Sequence, residues 1–308
     1  MQKIVVLSGG FGGARFLRGL AEAADPADVT AIANVGDDVE VLGLHVSPDL
    51  DSILYALAGL GDEERGWGRG DESWHALEEA GRFGGETWFQ LGDRDIGLHL
   101  VRTQALRGGE PLSAVTARLA RAAGLEITLL PATDDRLRTR VQTPEGELDL
   151  QTWFVARAHR DQVTEVRFEG AEEARPAPGA LEALDAADLI AIAPSNPYIS
   201  VWPILAVREI RAAFERRKVP AVAISPIVGG RAIKGPADRL LERMAGGTSP
   251  AHVARCYEGL IDVLVIDEAD EDAPRDPSVR TVVTRTLMTD SAARRALAEV
   301  VLNVGVFK

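Results

Sequence analysis

The sequence predicts an α/β fold: a mostly parallel sheet with helices on both faces, plus a smaller inserted α+β region. Three observations predict it. The apolar run Lys3–Ser8 ends in glycine and is followed by a helix-spaced stretch and a second apolar run, the pattern of a βαβ unit. The same alternation of strand and helix returns from residue 179. Between these halves the rhythm breaks, with tryptophans, glycines and a hairpin pattern. We therefore expect a core of residues 1–60 and 179–308, and an insertion of residues 61–178 covering the cleft.

Bulk properties narrow the classes. With 308 residues, 46% hydrophobic, the chain can bury a large core unaided. Its net charge of −13 argues against a nucleic-acid or anionic-membrane binder, which needs a basic footprint. A single cysteine, Cys256, excludes an internal disulfide and a cysteine-only metal cage. No apolar run approaches the ~20 residues that span a bilayer. Met1–Leu7 reads as a strand start rather than a secretory segment, so the expected compartment is the cytoplasm.

The elements follow in order. Lys3–Ser8 is a buried strand, Ala14–Ala24 a helix and Val29–Asn34 a strand. A helix runs from about Pro48 to Leu60, with Pro48 in its first turn. Gly61–Phe89 is a short helical excursion. Asp95–Gly108 and Leu112–Ala123 are helices, and Glu126–Leu130 is a strand. Arg138–Gln142 and Glu147–Gln151 flank a Pro-Glu-Gly turn as a hairpin, followed by Trp153–Arg157 and Val163–Glu169. Helices are expected at Gly179–Ala186, Ile204–Arg217, Pro236–Ala245, Pro250–Leu260 and Ser291–Asn303. Strands are expected at Leu189–Ala193, Val219–Ser225, Leu260–Ile266 and Val279–Val283. Glu268–Asp276 reads as a solvated acidic loop.

Parallel sheets bind ligands beyond the carboxyl ends of their strands. The first such end is Ser8-Gly9-Gly10-Phe11-Gly12-Gly13. Glycines permit close ligand approach, and a helix start offers free N–H groups to a phosphate. Four glycines in five positions exceed what a tight turn requires, so Gly9, Gly10, Gly12 and Gly13 are phosphate-binding candidates. No Gly-Lys-Ser/Thr follows, so this is not a P-loop. Arg15 stands where a dinucleotide fingerprint needs its third glycine, which disfavours an NAD-linked oxidoreductase.

Acidic residues stand at the same rim. Asn34-Val35-Gly36-Asp37-Asp38 ends the second strand, and Ser47-Pro48-Asp49-Leu50-Asp51 opens a helix. Carboxylates beside phosphates need an intervening cation, and Mg²⁺ takes one or two carboxylates plus phosphate oxygens. Asp37 and Asp51 are the leading metal candidates; either could instead hold the attacking hydroxyl or take its proton. Asp49 reads as a helix cap, as do Asp93 and Asp95. The five histidines show no zinc spacing, and His99 reads as a packing residue. Arg94 adjoins the acidic loop, where it could steer a phosphate. Two rigid polar loops, Pro194-Ser195-Asn196-Pro197 and Ser225-Pro226-Ile227, suit a nucleotide. Trp67 and Trp74 suit either stacking on a ring or lid packing.

Taken together these segments resemble one family. They include the glycine loop, Asn34–Asp38, Ser47–Asp51, Arg65-Gly66-Trp67-Gly68, Leu91-Gly92-Asp93-Arg94-Asp95, Pro194–Pro197, Ser225–Ile227 and Leu287-Met288-Thr289-Asp290. In this order they are similar to the 2-phospho-L-lactate transferases of coenzyme F420 biosynthesis, across nearly the whole chain. The resemblance implies a Rossmann-like fold, a Mg²⁺ requirement and a homodimer. It implies transfer of a phospholactyl or phosphoenolpyruvyl group from a guanosine diphosphate ester to the ribityl hydroxyl of the deazaflavin Fo. GMP leaves, and the product is F420-0 or its dehydro form. By the same resemblance Asp37 and Asp51 are the metal and hydroxyl-positioning acids. Asp51 and Gln90 would meet the deazaflavin, together with Asp93 and Arg94. Gly9, Gly10, Gly12 and Gly13 would meet the diphosphate, and Ser195, Asn196 and Pro226 the guanosine. The alternative is a non-catalytic nucleotide-sugar-binding regulator of the gluconeogenesis-factor type.

Overall fold

A computed structural model of the chain describes residues 2–304. β1 (Ile4–Ser8) leads into α1 (Gly10–Ala23) and β2 (Val29–Ala33). A small antiparallel pair, β3 (Val39–Val41) and β4 (Leu44–Val46), precedes α2 (Pro48–Leu57). α3 (His75–Arg82), α4 (Asp93–Arg107) and α5 (Leu112–Ala122) lead to β5 (Thr128–Pro131). β6 (Arg138–Thr143), β7 (Gly146–Asp149) and β8 (Glu165–Glu169) form a three-stranded antiparallel sheet. The second half runs through α6 (Ala180–Ala186), β9 (Leu189–Ile192), α7 (Trp202–Ala206), α8 (Arg208–Glu215) and β10 (Ala221–Ile224). It closes with β11 (Ile227–Val228), β12 (Arg231–Ala232), α9 (Ala237–Ala245), α10 (Pro250–Arg255), β13 (Val263–Asp267), β14 (Arg280–Thr284) and α11 (Ser291–Val304).

Seven strands make one wholly parallel sheet in the order β14-β13-β10-β9-β1-β2-β5. β1, β9 and β10 are buried along their whole length, as strands covered on both faces must be. The strand order reverses between β1 and β9, and that reversal leaves a crevice at their carboxyl ends. α1 packs against α2 and α11 on one face of the sheet, and α6 against α8.

Several expectations are redrawn. β5 lies within residues 61–178, yet it is the edge strand of the main sheet, with Ile32 aligned to Leu130. The inserted material is therefore the α3–α4 segment and the β6–β8 sheet, and the core resumes between them. α1 starts at Gly10, four residues earlier than the apolar spacing implied, because glycines carry no apolar signal. In the segment that follows the hairpin, Thr152–Ala156 forms a π-helical turn that buries Trp153. The helix expected over Ile204–Arg217 splits at Val207, which is extended (φ −69°, ψ 107°) and fully buried. Within the acidic loop Asp270 is buried and accepts the N–H groups of Gly229 and Gly230, both at 2.9 Å.

Candidate active site

The glycine loop has its own packing logic. Gly10 has φ +68°, a left-handed conformation that favours glycine. A Cβ at Gly12 would overlap the Pro194 carbonyl, and one at Gly13 would overlap the Ser8 and Ser195 hydroxyls. Gly13 thus lets the helix lie close to the sheet, while the Arg15 side chain lies over the Phe11 ring at 5.3 Å. Ser195 ties the loop across the crevice: its hydroxyl donates to the Gly9 carbonyl (2.6 Å) and accepts the Gly9 N–H (3.4 Å). These contacts account for the glycines before any ligand is considered. The first N–H groups of α1 still lack intrahelical acceptors, as at any helix start. One of them, on Gly10, donates to Asp49 Oδ1 at 2.6 Å.

Asp49 therefore does not cap its own helix; it reaches across to α1. Asn34, fully buried at the end of β2, joins it to Asp37. Asn34 Nδ2 lies 2.8 Å from Asp49 Oδ2, 3.3 Å from Asp37 Oδ1 and 3.2 Å from the Ile199 carbonyl. Its Oδ1 accepts the Gly36 N–H at 2.7 Å. Asp37, Asp38 and Asp49 are all buried. Burial, then the charges of Asp49 and Asp38, push Asp37 well above the usual carboxylate range. Burial also raises Asp49 to about 6, against the opposing bonds from Asn34 and Gly10. Asp38 has a partner, His45 Nε2 at 2.9 Å.

Asp51 sits in a different network. On α4, Asp95, His99 and Arg102 fall at i, i+4 and i+7, one face of the helix. That face meets Tyr55 and Asp51, which are themselves four residues apart on α2. The Arg102 guanidinium grips Asp51 with two N–H groups, Nη1 standing 2.9 Å from Oδ2. Both side chains are nearly inaccessible, at 2% and 7%. Burial alone would raise Asp51, but the charge and hydrogen bonds of Arg102 overcome it and hold the carboxylate below its usual range. Burial lowers His99 to about 4, so the ring is neutral near neutral pH. Its Nδ1 lies 3.3 Å from Arg102 Nη1 and acts as an acceptor there. Burial raises Asp95, beside Tyr55, to about 6.

The remaining candidates are placed as follows. Asp93 accepts from the Ser73 hydroxyl and from the His75 and Ala76 N–H groups, so it caps α3 rather than α4. Glu72 supplies the cap for α4 through the N–H groups of Arg94 and Asp95. Gln90 is exposed and donates to the Thr87 carbonyl at 2.9 Å; Arg94 is exposed. Asn196 Oδ1 accepts the Tyr198 N–H at 3.0 Å, while its Nδ2 is buried with no partner among the described residues. Pro226 is half-buried just beyond β10. Trp67 and Trp74 meet edge to face at 6.3 Å, with the Arg65 guanidinium 5.1 and 5.2 Å from their rings. The structure thus gathers Gly9, Gly10, Ser195, Asp37 and Asp49, sets Asp51 beside them, and leaves Asp93 and Gln90 engaged locally. Sequence reasoning missed Asn34, Asp49 and Arg102. The i, i+4, i+7 spacing of Asp95, His99 and Arg102 was the readable signal for the last.

A divalent cation fits part of this arrangement. Asp37 and Asp49 are two buried carboxylates sharing one neutral amide, with no cationic side chain bonded to either among the described residues. No set of three or more His, Cys, Asp or Glu residues converges as a closed metal cage among the described residues. An open two-carboxylate site completed by ligand oxygens is the Mg²⁺ pattern. Asp51, gripped by Arg102, fits a metal less well.

Fold and site together define an α/β protein that collects buried carboxylates and amide donors at the carboxyl edge of a doubly wound parallel sheet. Over residues 4–302 the chain matches the family described as 2-phospho-L-lactate transferase CofD. It belongs to that family and is a transferase. It is 44% identical to the phosphoenolpyruvate transferase of Streptomyces griseus, covering 98% of each chain. It is also 44% identical to that of Streptomyces coelicolor over the same shares, and 41% identical to that of Mycobacterium tuberculosis over 94% of this chain and 95% of the relative. Among solved structures, a UPF0052-family protein from Bacillus halodurans superposes with a TM-score of 0.65 at 19% identity. That match covers 98% of this chain and 100% of the other, and it supports the fold. No helix among the described residues is long and apolar enough to cross a membrane.

Proposed function

We propose that the protein moves a phosphoenolpyruvyl or phospholactyl group from its guanosine diphosphate ester to the ribityl hydroxyl of Fo, releasing GMP, in coenzyme F420 biosynthesis. The observation that carries this reading is the Asp37–Asn34–Asp49 cluster at the start of α1, in a chain whose whole length matches transferases. The named relatives favour transfer over a regulatory role.

Asp37 and Asp49 would hold Mg²⁺, which when bound supplies charge neutralisation for the phosphoryl oxygens. The rest is positioning by the chain. Asn34 fixes both carboxylates relative to β2. Arg102 keeps Asp51 ionised and oriented, so Asp51 can accept a hydrogen bond from an incoming hydroxyl. Its lowered proton affinity makes it a poor proton acceptor, so as the new P–O bond forms and the bond to GMP breaks the hydroxyl proton passes to the departing phosphate or to water. The buried Nδ2 of Asn196 is a free donor for the nucleotide. No covalent enzyme intermediate is required.

The test is product mass. The protein, Mg²⁺, Fo and each guanosine diphosphate ester in turn should yield GMP and a single F420-0-type product. Absence of product with every ester, alongside thermal protection by a UDP-sugar, would turn the reading toward the regulator.

A further inference from the structure

A cavity of about 320 Å³ opens beside Asp37, between the loop after β2 and the start of β6. One wall carries Asp37, Asp38 and Glu40; the facing wall carries Arg136, Arg138, Thr139 and Gln151, with Asp149 beside them paired to Arg140. The two walls are stitched together by the Thr139 N–H donating to the Gly36 carbonyl at 2.7 Å and by Gln151 Nε2 donating to the Asp37 carbonyl at 3.3 Å. We propose that this cavity receives the three-carbon acid arm of the donor, with the Arg138 guanidinium binding its carboxylate. The assignment rests on the transferase reading above.

Two observations converge. First, Arg138 is half-buried, and among the described residues its guanidinium meets no carboxylate; its one bond is to the Leu137 carbonyl at 2.9 Å. Its neighbour Arg136 is committed to Glu169, as is Arg140. A guanidinium fork suits a small carboxylate. Second, the sheet order places the ligand parts in line. The loops holding Ser195, Asn196 and Pro226 end β9 and β10, the glycine loop ends β1, and the cavity lies past β2. Read along β10-β9-β1-β2, that sequence is nucleoside, diphosphate, acid. The acceptor then enters from the α2–α4 side, where Asp51 stands. An anion here faces Asp37 and Asp38 across the cavity, so its binding depends on a divalent cation between them as well as on Arg138.

The experiment is calorimetry with phosphoenolpyruvate and, separately, GMP, each in Mg²⁺, on wild type, Arg138→Gln and Arg138→Lys. Arg138→Gln should weaken phosphoenolpyruvate binding at least tenfold and raise the donor KM by a similar factor. GMP affinity and thermal midpoint should stay at the wild-type values, and Arg138→Lys should recover part of the loss. Unchanged phosphoenolpyruvate affinity and KM in Arg138→Gln would overturn the assignment while leaving the transferase reading standing. Equal losses for GMP and phosphoenolpyruvate would overturn it too, since the side chain would then act on the nucleotide. A wild-type protein binding neither probe would remove both readings.

Discussion

Asp49 and Asp51 stand two residues apart on one helix and have opposite electrostatic fates. Asp51 faces α4, where a buried guanidinium grips it and holds its proton affinity down. Asp49 faces α1 and β2, where only neutral amides meet it and burial raises it to about 6. The contrast separates two tasks that acid residues at one rim share in sequence. The Asp51 cluster is neutralised within the protein, which holds Asp51 ionised and fixed for an incoming hydroxyl. The Asp37–Asp49 cluster lacks that internal compensation and so has capacity for a cation from outside.

The largest test of this contrast removes the internal cation. Arg102→Met leaves a buried carboxylate alone, and stability should fall by about 3–5 kcal/mol in chemical denaturation. The double variant Arg102→Met/Asp51→Leu should regain most of that loss while remaining inactive. If the single variant is as stable as wild type, the two clusters do not differ as described.

The next effect comes from supplying the external cation. Mg²⁺ at about a hundred times its dissociation constant should stabilise wild type by about 2.7 kcal/mol. Asp37→Asn should lose that gain, and the thermal midpoint against Mg²⁺ concentration measures it. A gain that survives in Asp37→Asn but vanishes in Asp51→Asn would exchange the roles of the two clusters.

pH separates them by sign. Asp49 is raised on folding, so its contribution is present at acid pH and lost as pH rises toward about 6. Measured without metal, wild type relative to Asp49→Asn should lose on the order of 2 kcal/mol between pH 4 and 7. Asp51 is lowered, so its contribution is present above the ordinary carboxylate pKa and lost as pH falls below it. Parallel slopes for the two sites would contradict the comparison. The smallest effect is Tyr55→Phe, at the margin of the Asp51 network: the buried phenol oxygen has no hydrogen-bond partner among the described residues, so its removal should change stability in chemical denaturation by less than about 1 kcal/mol.

Much of the fold could be read from residue periodicity. The strands of the main sheet showed as apolar runs, and the βα alternation implied their parallel arrangement. The membership of β5 could not be read, because an edge strand of four residues looks the same whichever sheet it joins. The candidate site was legible as a set of loops and illegible as a set of bonds. Asp37 stood out because it follows a strand end. Asp49 read as a cap because local sequence contains its own helix start but not α1, which folding brings against it. Arg102 was hidden among solvated arginines until two helices packed face to face. The glycines carried a mixed signal: Gly12 and Gly13 are also required by close contact with Pro194, Ser8 and Ser195, so their number does not by itself argue for phosphate.

The Asn34 side chain has two amide protons and three acceptors within 3.3 Å. One acceptor is always surplus, and the longest contact is the one to Asp37. That carboxylate can swing toward an arriving ligand while the amide keeps both protons engaged with Asp49 and the Ile199 carbonyl. Rotation of the Asp37 side chain therefore need not orphan either Asn34 proton, and the molecule carries in one residue the slack its most crowded corner requires.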